Sequence, residues 1–97
     1  MRFRKSFKAT LDYTLIWTNY LDGSSIHNSE WNILTDTSED ENPLEIVLTK
    51  RTEDKTTVVV KGGDVNKRYR LGNIIQYVKN GDKYLQDKRY IEIQITE

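Results

Sequence analysis

The chain has 97 residues, with 15 basic and 15 acidic side chains, a formal net charge of zero and no cysteine. The lack of cysteine excludes a disulfide framework, a thiolate nucleophile and a zinc ribbon, and the balanced charge argues against nucleic-acid binding. The longest apolar run, residues 58–60, is too short to cross a membrane, and the first residues lack the apolar stretch of a secretory signal. We therefore expect one small domain over residues 1–97, made and folded in the cytoplasm.

The N-terminal segment mixes basic and aromatic residues: Arg2, Phe3, Arg4, Lys5, Phe7 and Lys8. Lysine and arginine on a strand are typical of an edge strand that is protected against aggregation. Alternatively, residues 1–6 form a short basic arm that docks on an acidic partner surface. With the arm interpretation, Arg2, Arg4 and Lys5 are candidates for partner contact.

Apolar residues on alternate positions predict two strands in the first third of the chain. One face of the first strand carries Leu11, Tyr13, Leu15 and Trp17, and one face of the second carries Trp31 and Ile33. Between them, residues 17–21 predict one helical turn with Trp17, Tyr20 and Leu21 on one side. The strand spacing indicates that both tryptophans are core residues. The alternative is that they are the flat stacking platforms of a carbohydrate-binding module.

An acidic segment, residues 35–43, contains no apolar residue except its proline. Its four carboxylates are Asp36, Glu39, Asp40 and Glu41. We interpret it as a mobile surface loop that is a candidate for charged contacts through Asp36, Glu39 and Asp40. A calcium site is the alternative, but the segment lacks the ligand spacing and the central glycine of an EF-hand. We predict no metal here.

The second half of the chain predicts further strands separated by glycine turns. Alternating or β-branched runs follow one another: Leu44, Ile46 and Leu48; residues 56–61; Tyr69, Leu71, Asn73, Ile75 and Tyr77; Ile91, Ile93 and Ile95. The dipeptides Gly62-Gly63 and Asn80-Gly81 mark turns, because glycine and asparagine tolerate positive φ. Six or seven short strands in a chain of this length predict an all-β, antiparallel sandwich.

The sequence offers little chemistry. His27 is the only histidine and is not accompanied by a nucleophile motif, so we interpret it as a solvent-facing strand residue. Gly62-Gly63 lacks the lysine and the helix of a phosphate-binding loop. We predict that the protein is not an enzyme and has no cofactor. Tyr20, Tyr84 and Tyr90 share no apolar face, and they are the aromatic candidates for partner contact because tyrosine is enriched at interfaces.

Residues 11–26, LDYTLIWTNYLDGSSI, resemble the opening of small immunoglobulin-like structural proteins of tailed bacteriophages. The elements that follow in that family have counterparts here, in order: Ser29-Glu30-Trp31, Gly62-Gly63, Tyr69-Arg70-Leu71, Asn80-Gly81 and residues 91–95. Three positions depart from the family pattern. Ile16 replaces an acidic residue, Tyr20 replaces a tryptophan, and Asn66 stands where the family has a glycine.

The resemblance implies an immunoglobulin-like β-sandwich that is a non-enzymatic virion component, in the group described as fibre-to-tail adaptors. A capsid decoration or cement protein is the alternative role, and a carbohydrate-binding module is a further one. The implied partners are other phage structural proteins, such as tail, connector, fibre or major capsid proteins. We expect several copies in each virion and contact with neither nucleic acid nor membrane.

Overall fold

The computed structural model describes residues 1–79 and 83–97, with the Lys83 side chain outside the description. The described chain contains one short helix and seven strands: β1 (Arg2–Ser6), β2 (Leu11–Ile16), α1 (Thr18–Leu21), β3 (Ser25–Ile33), β4 (Glu45–Arg51), β5 (Lys55–Lys61), β6 (Arg68–Lys79) and β7 (Lys83–Thr96). A four-stranded sheet has the order β1-β7-β6-β3, and a three-stranded sheet has the order β2-β5-β4. The prediction of a β-sandwich with six or seven strands is confirmed, and the structure has seven. The predicted helical turn is also present, as α1. The predicted Asn80-Gly81 turn lies outside the described residues.

The strand order matches that of an immunoglobulin domain at six of seven positions. In such domains the second, fifth and fourth strands form one sheet, and the third, sixth and seventh form the other. The chain has both sets. It also has the buried tryptophan of the third strand, Trp31. At the start of the sixth strand, the Tyr69 hydroxyl accepts a hydrogen bond from the Asp64 backbone N–H at 3.0 Å, as in the tyrosine corner of these folds.

The first strand departs from that order and from the predicted antiparallel pairing. β1 lies beside β7 rather than β2, and it pairs with β7 in parallel from Arg2↔Glu92 to Ser6↔Thr96. Phe3 packs against the core, with its ring centroid 4.6 Å from that of Tyr13. The interpretation of residues 1–6 as a free arm is therefore wrong, because they form an edge strand of the sandwich.

Alternation along the strands builds the core between the sheets. Both predicted rows of β6 and β7 are buried: Tyr69, Leu71, Asn73, Ile75 and Tyr77, and Ile91, Ile93 and Ile95. Trp17 is fully buried and Trp31 is 6% exposed, so the prediction that both are core residues is confirmed. Full burial of an aliphatic or aromatic side chain stabilises the fold by about 1.5–3 kcal/mol.

Asn73 places a polar cluster in the middle of this core. Its Oδ1 accepts hydrogen bonds from the Trp17 Nε1–H at 3.2 Å and from the Thr56 hydroxyl at 2.7 Å. Its Nδ2 donates to the Ser29 hydroxyl and the Glu30 carbonyl, both at 3.0 Å. Because Thr56 lies on β5 and Asn73 on β6, the cluster joins the two sheets, and all hydrogen-bonding positions of the amide have partners.

The predicted alternation fails in β4. The register against β5 shifts between Ile46 and Leu48, so that Val47 is an additional residue of a β-bulge. Leu44 is buried and Ile46 is half-buried, as predicted for one inward face. Leu48 was expected on the same face, but its side chain is 44% exposed. A single inserted residue reverses the side of every residue after it.

Glycine is required where the chain passes from β5 to β6 and changes sheet. Gly62 has φ of 78° and Gly63 has φ of 105°. A Cβ atom at Gly62 would lie 2.6 Å from the Pro43 carbonyl oxygen, and one at Gly63 would lie 2.6 Å from Ile95. Asn66 also has a left-handed φ of 71°, a conformation that asparagine tolerates better than most residues.

The molecule is elongated, with dimensions of 46 × 20 × 20 Å. β6 and β7 have 12 and 14 residues, whereas the strands of the other sheet have six or seven. One end of the β6–β7 pair therefore projects beyond the three-stranded sheet, with α1 packed beside it. The loops that follow β1, β3 and β5 gather at the opposite end of the sandwich.

Candidate functional site

The outer face of the four-stranded sheet carries a group of arginines, which we name the arginine face: Arg2 and Arg4 on β1, and Arg68 and Arg70 on β6. The strand registers bring them together in two rows across β7, Arg2–Glu92–Arg70 and Arg4–Gln94–Arg68. All four arginines are exposed. Arg2 and Arg4 were predicted as contact residues, and the structure places them beside two further arginines.

Glu92 is the acidic residue at the centre of the arginine face. Its carboxylate lies 3.7 Å from Arg2 Nε and 3.9 Å from an Arg68 Nη atom. Ion pairs this long and this exposed contribute little to stability. Arg70 places its guanidinium 4.1 Å above the ring of Tyr90, another predicted contact residue. The face therefore has an excess of positive charge beside a partly exposed aromatic ring.

Lys5 was predicted as a contact residue, and its position does not fit that prediction. Its side chain points into the sandwich and is 1% exposed. The ammonium group donates hydrogen bonds to the Ser6 carbonyl at 2.8 Å and to the Gly62 carbonyl at 2.7 Å. Burial lowers the pKa of the Lys5 ammonium. Lys5 fixes β1 to the loop after β5 and offers no surface to a partner.

The opposite charge lies at the end where the loops gather, on a group that we name the acidic end: Asp36, Glu39 and Glu41. All three residues are exposed. The Asp36 carboxylate accepts a hydrogen bond from the Ser38 backbone N–H at 2.9 Å, and this bond lowers the pKa of Asp36. Within the described residues, none of the three carboxylates forms an ion pair.

Asp40 was predicted as a contact residue of the same loop, but its side chain is only 6% exposed. It accepts hydrogen bonds from the Lys67 ammonium and from the Tyr69 hydroxyl, the latter at 2.6 Å. The bond from Lys67, reinforced by the bond from Tyr69, holds the pKa of the Asp40 carboxyl below its usual range. Burial and the bond to Asp40 raise the pKa of Tyr69 to about 12. Asp40 therefore ties the loop to the sandwich and is a structural residue.

The projecting end of the β6–β7 pair carries exposed aromatic and apolar side chains, and we name it the hairpin end: Tyr20, His27, Tyr84 and Leu85. Tyr84 is 63% exposed, Tyr20 is 41% exposed and Leu85 is 39% exposed. Tyr84 lies on the outer face beside His27, with ring centroids 4.6 Å apart. Leu85 pairs with Tyr77 on the inner face. Two of the three predicted tyrosine contacts thus lie at this end.

Tyr20 is held firmly by its neighbours. Its hydroxyl lies 2.9 Å from the Tyr77 hydroxyl, and its ring contacts the rings of Trp17 and Tyr77 edge-on at 5.5 and 5.7 Å. The hydrogen bond from Tyr20 lowers the pKa of the Asp87 carboxyl. Nearby, the Arg89 guanidinium stacks 4.0 Å from the Trp17 ring and donates to the Ile16 carbonyl. These contacts fasten α1 to the base of the projecting strands.

The arrangement needed for carbohydrate stacking is not formed by the side chains proposed for it. Trp31 faces the core, and Tyr84 and Tyr90 lie six residues apart on β7. That separation is about 20 Å along a strand, too far for two rings to stack on one sugar.

Among the described residues, no group of His, Asp or Glu is arranged to hold a metal ion, and no helix is long and apolar enough to cross a membrane.

Comparison with known proteins places these surfaces in context. A family model described as podophage GP4 fiber-tail adaptor protein gp77 matches residues 5–86. The chain belongs to this family. No curated protein and no solved structure matches the chain.

The adaptor is thus a structural phage protein and a component of the virion. The predicted resemblance to fibre-to-tail adaptors is confirmed, and the family match favours this role over a capsid cement protein. The match covers the acidic end, Arg68, Arg70 and Tyr84, whereas Arg2, Arg4 and Tyr90 lie outside it.

Proposed function

We propose that the adaptor joins a fibre to the tail without catalysis and that the hairpin end is its docking surface for one of these two partners. The observation that carries the proposal is the concentration of exposed Tyr84 and Leu85 on the projecting strands, with exposed Tyr20 on α1 at their base. Aromatic residues near the centre of an interface provide most of the binding energy in many complexes.

The shape of the hairpin end suits a socket rather than a flat surface. Tyr84 lies on the outer face of the four-stranded sheet, whereas Leu85 lies on the inner face near Tyr20. A partner that surrounds the projecting strands therefore buries apolar side chains on both faces. The fixed Tyr20 ring loses little conformational entropy on binding, which favours a tight complex.

The side chains near this end support a role without catalysis. The His27 ring contacts Tyr84, and within the described residues it makes no side-chain hydrogen bond to an acid or a hydroxyl group. A histidine that acts as a general base needs such a nucleophile and an orienting partner. Binding of the fibre and tail proteins is the activity that the surface chemistry supports.

The experiment compares two variants in assembled particles. The test variant carries Tyr84→Ala and Leu85→Ser at the hairpin end. The matched control carries Val47→Ala and Leu48→Ser on β4, where the side chains are similarly exposed. Thermal melts establish that both variants fold. We expect the test variant to lose at least about tenfold in occupancy on purified particles, because each lost anchor contributes on the order of 1–2 kcal/mol.

Electron micrographs of the same particles provide the functional measurement. Particles made with the test variant should keep their tails and carry few fibres, whereas the control should resemble the wild type. Normal occupancy of a folded test variant would show that the adaptor docks through another surface. Normal fibre numbers on particles that lack the adaptor would contradict the joining role.

A further inference from the structure

The free edge of β2 lies where an immunoglobulin domain has a further strand. In such domains the first strand pairs with the second, so that their sheet has four strands. Here β1 pairs with β7 in the other sheet, and β2 is left at the edge of its own sheet. The contact between Phe3 and Tyr13 keeps β1 on the same side of the sandwich as this edge. Within the described residues, the position beside β2 that the first strand takes in those domains is therefore open.

Alternate residues of β2 direct their backbone hydrogen-bonding groups away from β5. The Trp17 N–H donates to the Asp54 carbonyl at 2.8 Å, which fixes the odd-numbered residues of β2 as those that bond to β5. The N–H and C=O groups of Asp12 and Thr14 therefore point toward the open edge. No residue in the described part of the chain pairs with them.

β2 lacks the features that protect the other edge strands. β1 carries arginines and the inward-pointing Lys5, and β3 and β4 each contain a bulge. The pairing of β2 with β5 is regular along its whole length, and Asp12 is the only charged residue of β2. At its two ends, Leu11 is 39% exposed and Ile16 is 62% exposed. A regular and nearly uncharged edge is a template for pairing with another chain.

We propose that β2 binds an extended segment of the adaptor's second partner, which adds to the three-stranded sheet as an antiparallel strand. This inference rests on the function proposed above, because a protein that joins a fibre to a tail needs a docking surface besides the hairpin end. The backbone groups of Asp12 and Thr14 provide the hydrogen bonds of the complex, and side-chain contacts on the two faces of the sheet provide its specificity.

The residues around the edge define the segment that fits. The side chains of the segment alternate between the two faces of the sheet. Those that face inward lie near Leu11 and Phe3, which are partly exposed, so apolar residues suit these positions. An outward-facing residue lies beside the exposed Asp12, where lysine or arginine forms a cross-strand pair of opposite charge. The partner segment is thus an extended strand with alternating apolar residues and a basic residue between them.

Amide hydrogen exchange of the wild-type chain, read at single residues by mass spectrometry, tests the proposal without a substitution. In the free protein, the amides of Asp12 and Thr14 should exchange quickly, whereas those of Tyr13 and Leu15, which bond to β5, should exchange slowly. The purified fibre protein and the purified tail are then added in turn. One of them should slow the exchange of Asp12 and Thr14 by at least about tenfold. Exchange that stays fast in both complexes would overturn the proposal.

A proline in β2 separates backbone pairing from side-chain contact. Asp12→Pro removes an N–H that does not bond to β5, so the hydrogen bonds between β2 and β5 are kept. The matched control, Asp12→Ala, removes the carboxylate and keeps the N–H. Thermal melts establish that both variants fold. Asp12→Pro should bind the partner at least about tenfold more weakly than Asp12→Ala, because it lacks one hydrogen bond and its ring meets the added strand. Equal affinities of the two variants would contradict strand addition.

The exchange experiment also detects other occupants of the edge. Protection of Asp12 and Thr14 that rises with the concentration of the free protein would show that a second copy covers β2. Protection at every concentration would show that the chain covers its own edge. Either result would overturn the proposal.

The variant Tyr84→Ala, Leu85→Ser separates this inference from the joining role. The partner that protects β2 should also protect it in this variant, because the hairpin end binds the other partner. If the fibre protein and the tail both bind the wild type and β2 stays unprotected, strand addition is wrong and the joining role stands. If neither binds the wild type, the joining role is wrong, and strand addition is wrong with it.

Discussion

At the scale of single residues, two buried tyrosines differ in what surrounds their hydroxyl groups. The Tyr69 hydroxyl donates to Asp40 and accepts from the Asp64 backbone N–H. The Tyr13 hydroxyl is buried and has no hydrogen-bond partner within the described residues. A buried hydroxyl that has partners stabilises the fold, whereas one without partners keeps only the penalty of leaving water.

Because of these different surroundings, we expect a Tyr→Phe substitution to change the free energy of unfolding differently at the two positions. Tyr69→Phe should lower the free energy of unfolding by about 1–3 kcal/mol, because it leaves a carboxylate and an N–H without their partner. Tyr13→Phe should leave the free energy unchanged or raise it slightly. Urea titration of both variants measures the difference, and equal losses in the two would show that Tyr13 has a partner in solution.

Asp40 predicts a pH dependence with a defined sign. Its pKa is lower in the folded protein than in the unfolded chain, so the charged carboxyl stabilises the fold. This contribution is complete above the unfolded pKa of about 3.9 and is lost as the pH falls through the lower, folded value. Asp40→Asn should therefore be less stable than the wild type near pH 7, and the two should converge below about pH 4.

Urea midpoints of wild type and Asp40→Asn across this pH range provide the measurement. The pKa values of Asp36, Asp54 and Asp87 are also lowered, but both proteins contain these residues. The difference between wild type and Asp40→Asn therefore reports the contribution of Asp40 alone. A difference that stays constant at acidic pH would mean that Asp40 contributes through its shape and not through its charge.

At the scale of secondary-structure elements, β1 is the strand whose importance can be tested by removal. Deletion of residues 1–6 should lower the free energy of unfolding by at least about 2 kcal/mol, because it exposes the core surface under Phe3 and leaves the edge of β7 unpaired. The double variant Arg2→Ala and Arg4→Ala removes exposed charges from the same strand and should unfold near the wild-type temperature. A truncated protein with an unchanged melt would show that β1 pairs only weakly.

The strands themselves could be predicted from the sequence, but the partner with which β1 pairs could not. Alternation is a local property, so the buried rows of β6 and β7 follow directly from it. The partner of β1 depends on the whole sandwich, and nothing in residues 1–6 distinguishes β7 from β2 as its neighbour. The bulge at Val47 was missed because one inserted residue has no signature in a β-branched run.

At the scale of the whole molecule, the surfaces depend on how distant strands align. Arg68 and Arg70 alternate with buried Tyr69 and Leu71, so their outward direction could be predicted, but their closeness to Arg2 and Arg4 follows only from the register across β7. Lys5 and Asp40 were misassigned because charge alone does not indicate burial. Each has partners more than 20 positions away in the chain.

The parallel pairing of β1 with β7 has a mechanical consequence for a protein that connects a fibre to a tail. The chain enters β1 at the Arg2↔Glu92 pair and leaves β7 at the Thr96 end of the same pair of strands. Tension applied through Met1 and Glu97 therefore slides the two strands past each other and loads all their hydrogen bonds together. Tension through Glu45 and Lys61, which face each other at the open end of β4 and β5, loads one bond at a time.

Single-molecule pulling should therefore give a higher rupture force through Met1 and Glu97 than through Glu45 and Lys61, since forced unfolding reports the rate of crossing the unfolding barrier. Equal forces would mean that the pairing of β1 and β7 does not limit rupture. A strand pair that resists shear makes β1 a mechanical latch: besides stabilising the sandwich at equilibrium, it sets how long the fold survives while a fibre pulls on it.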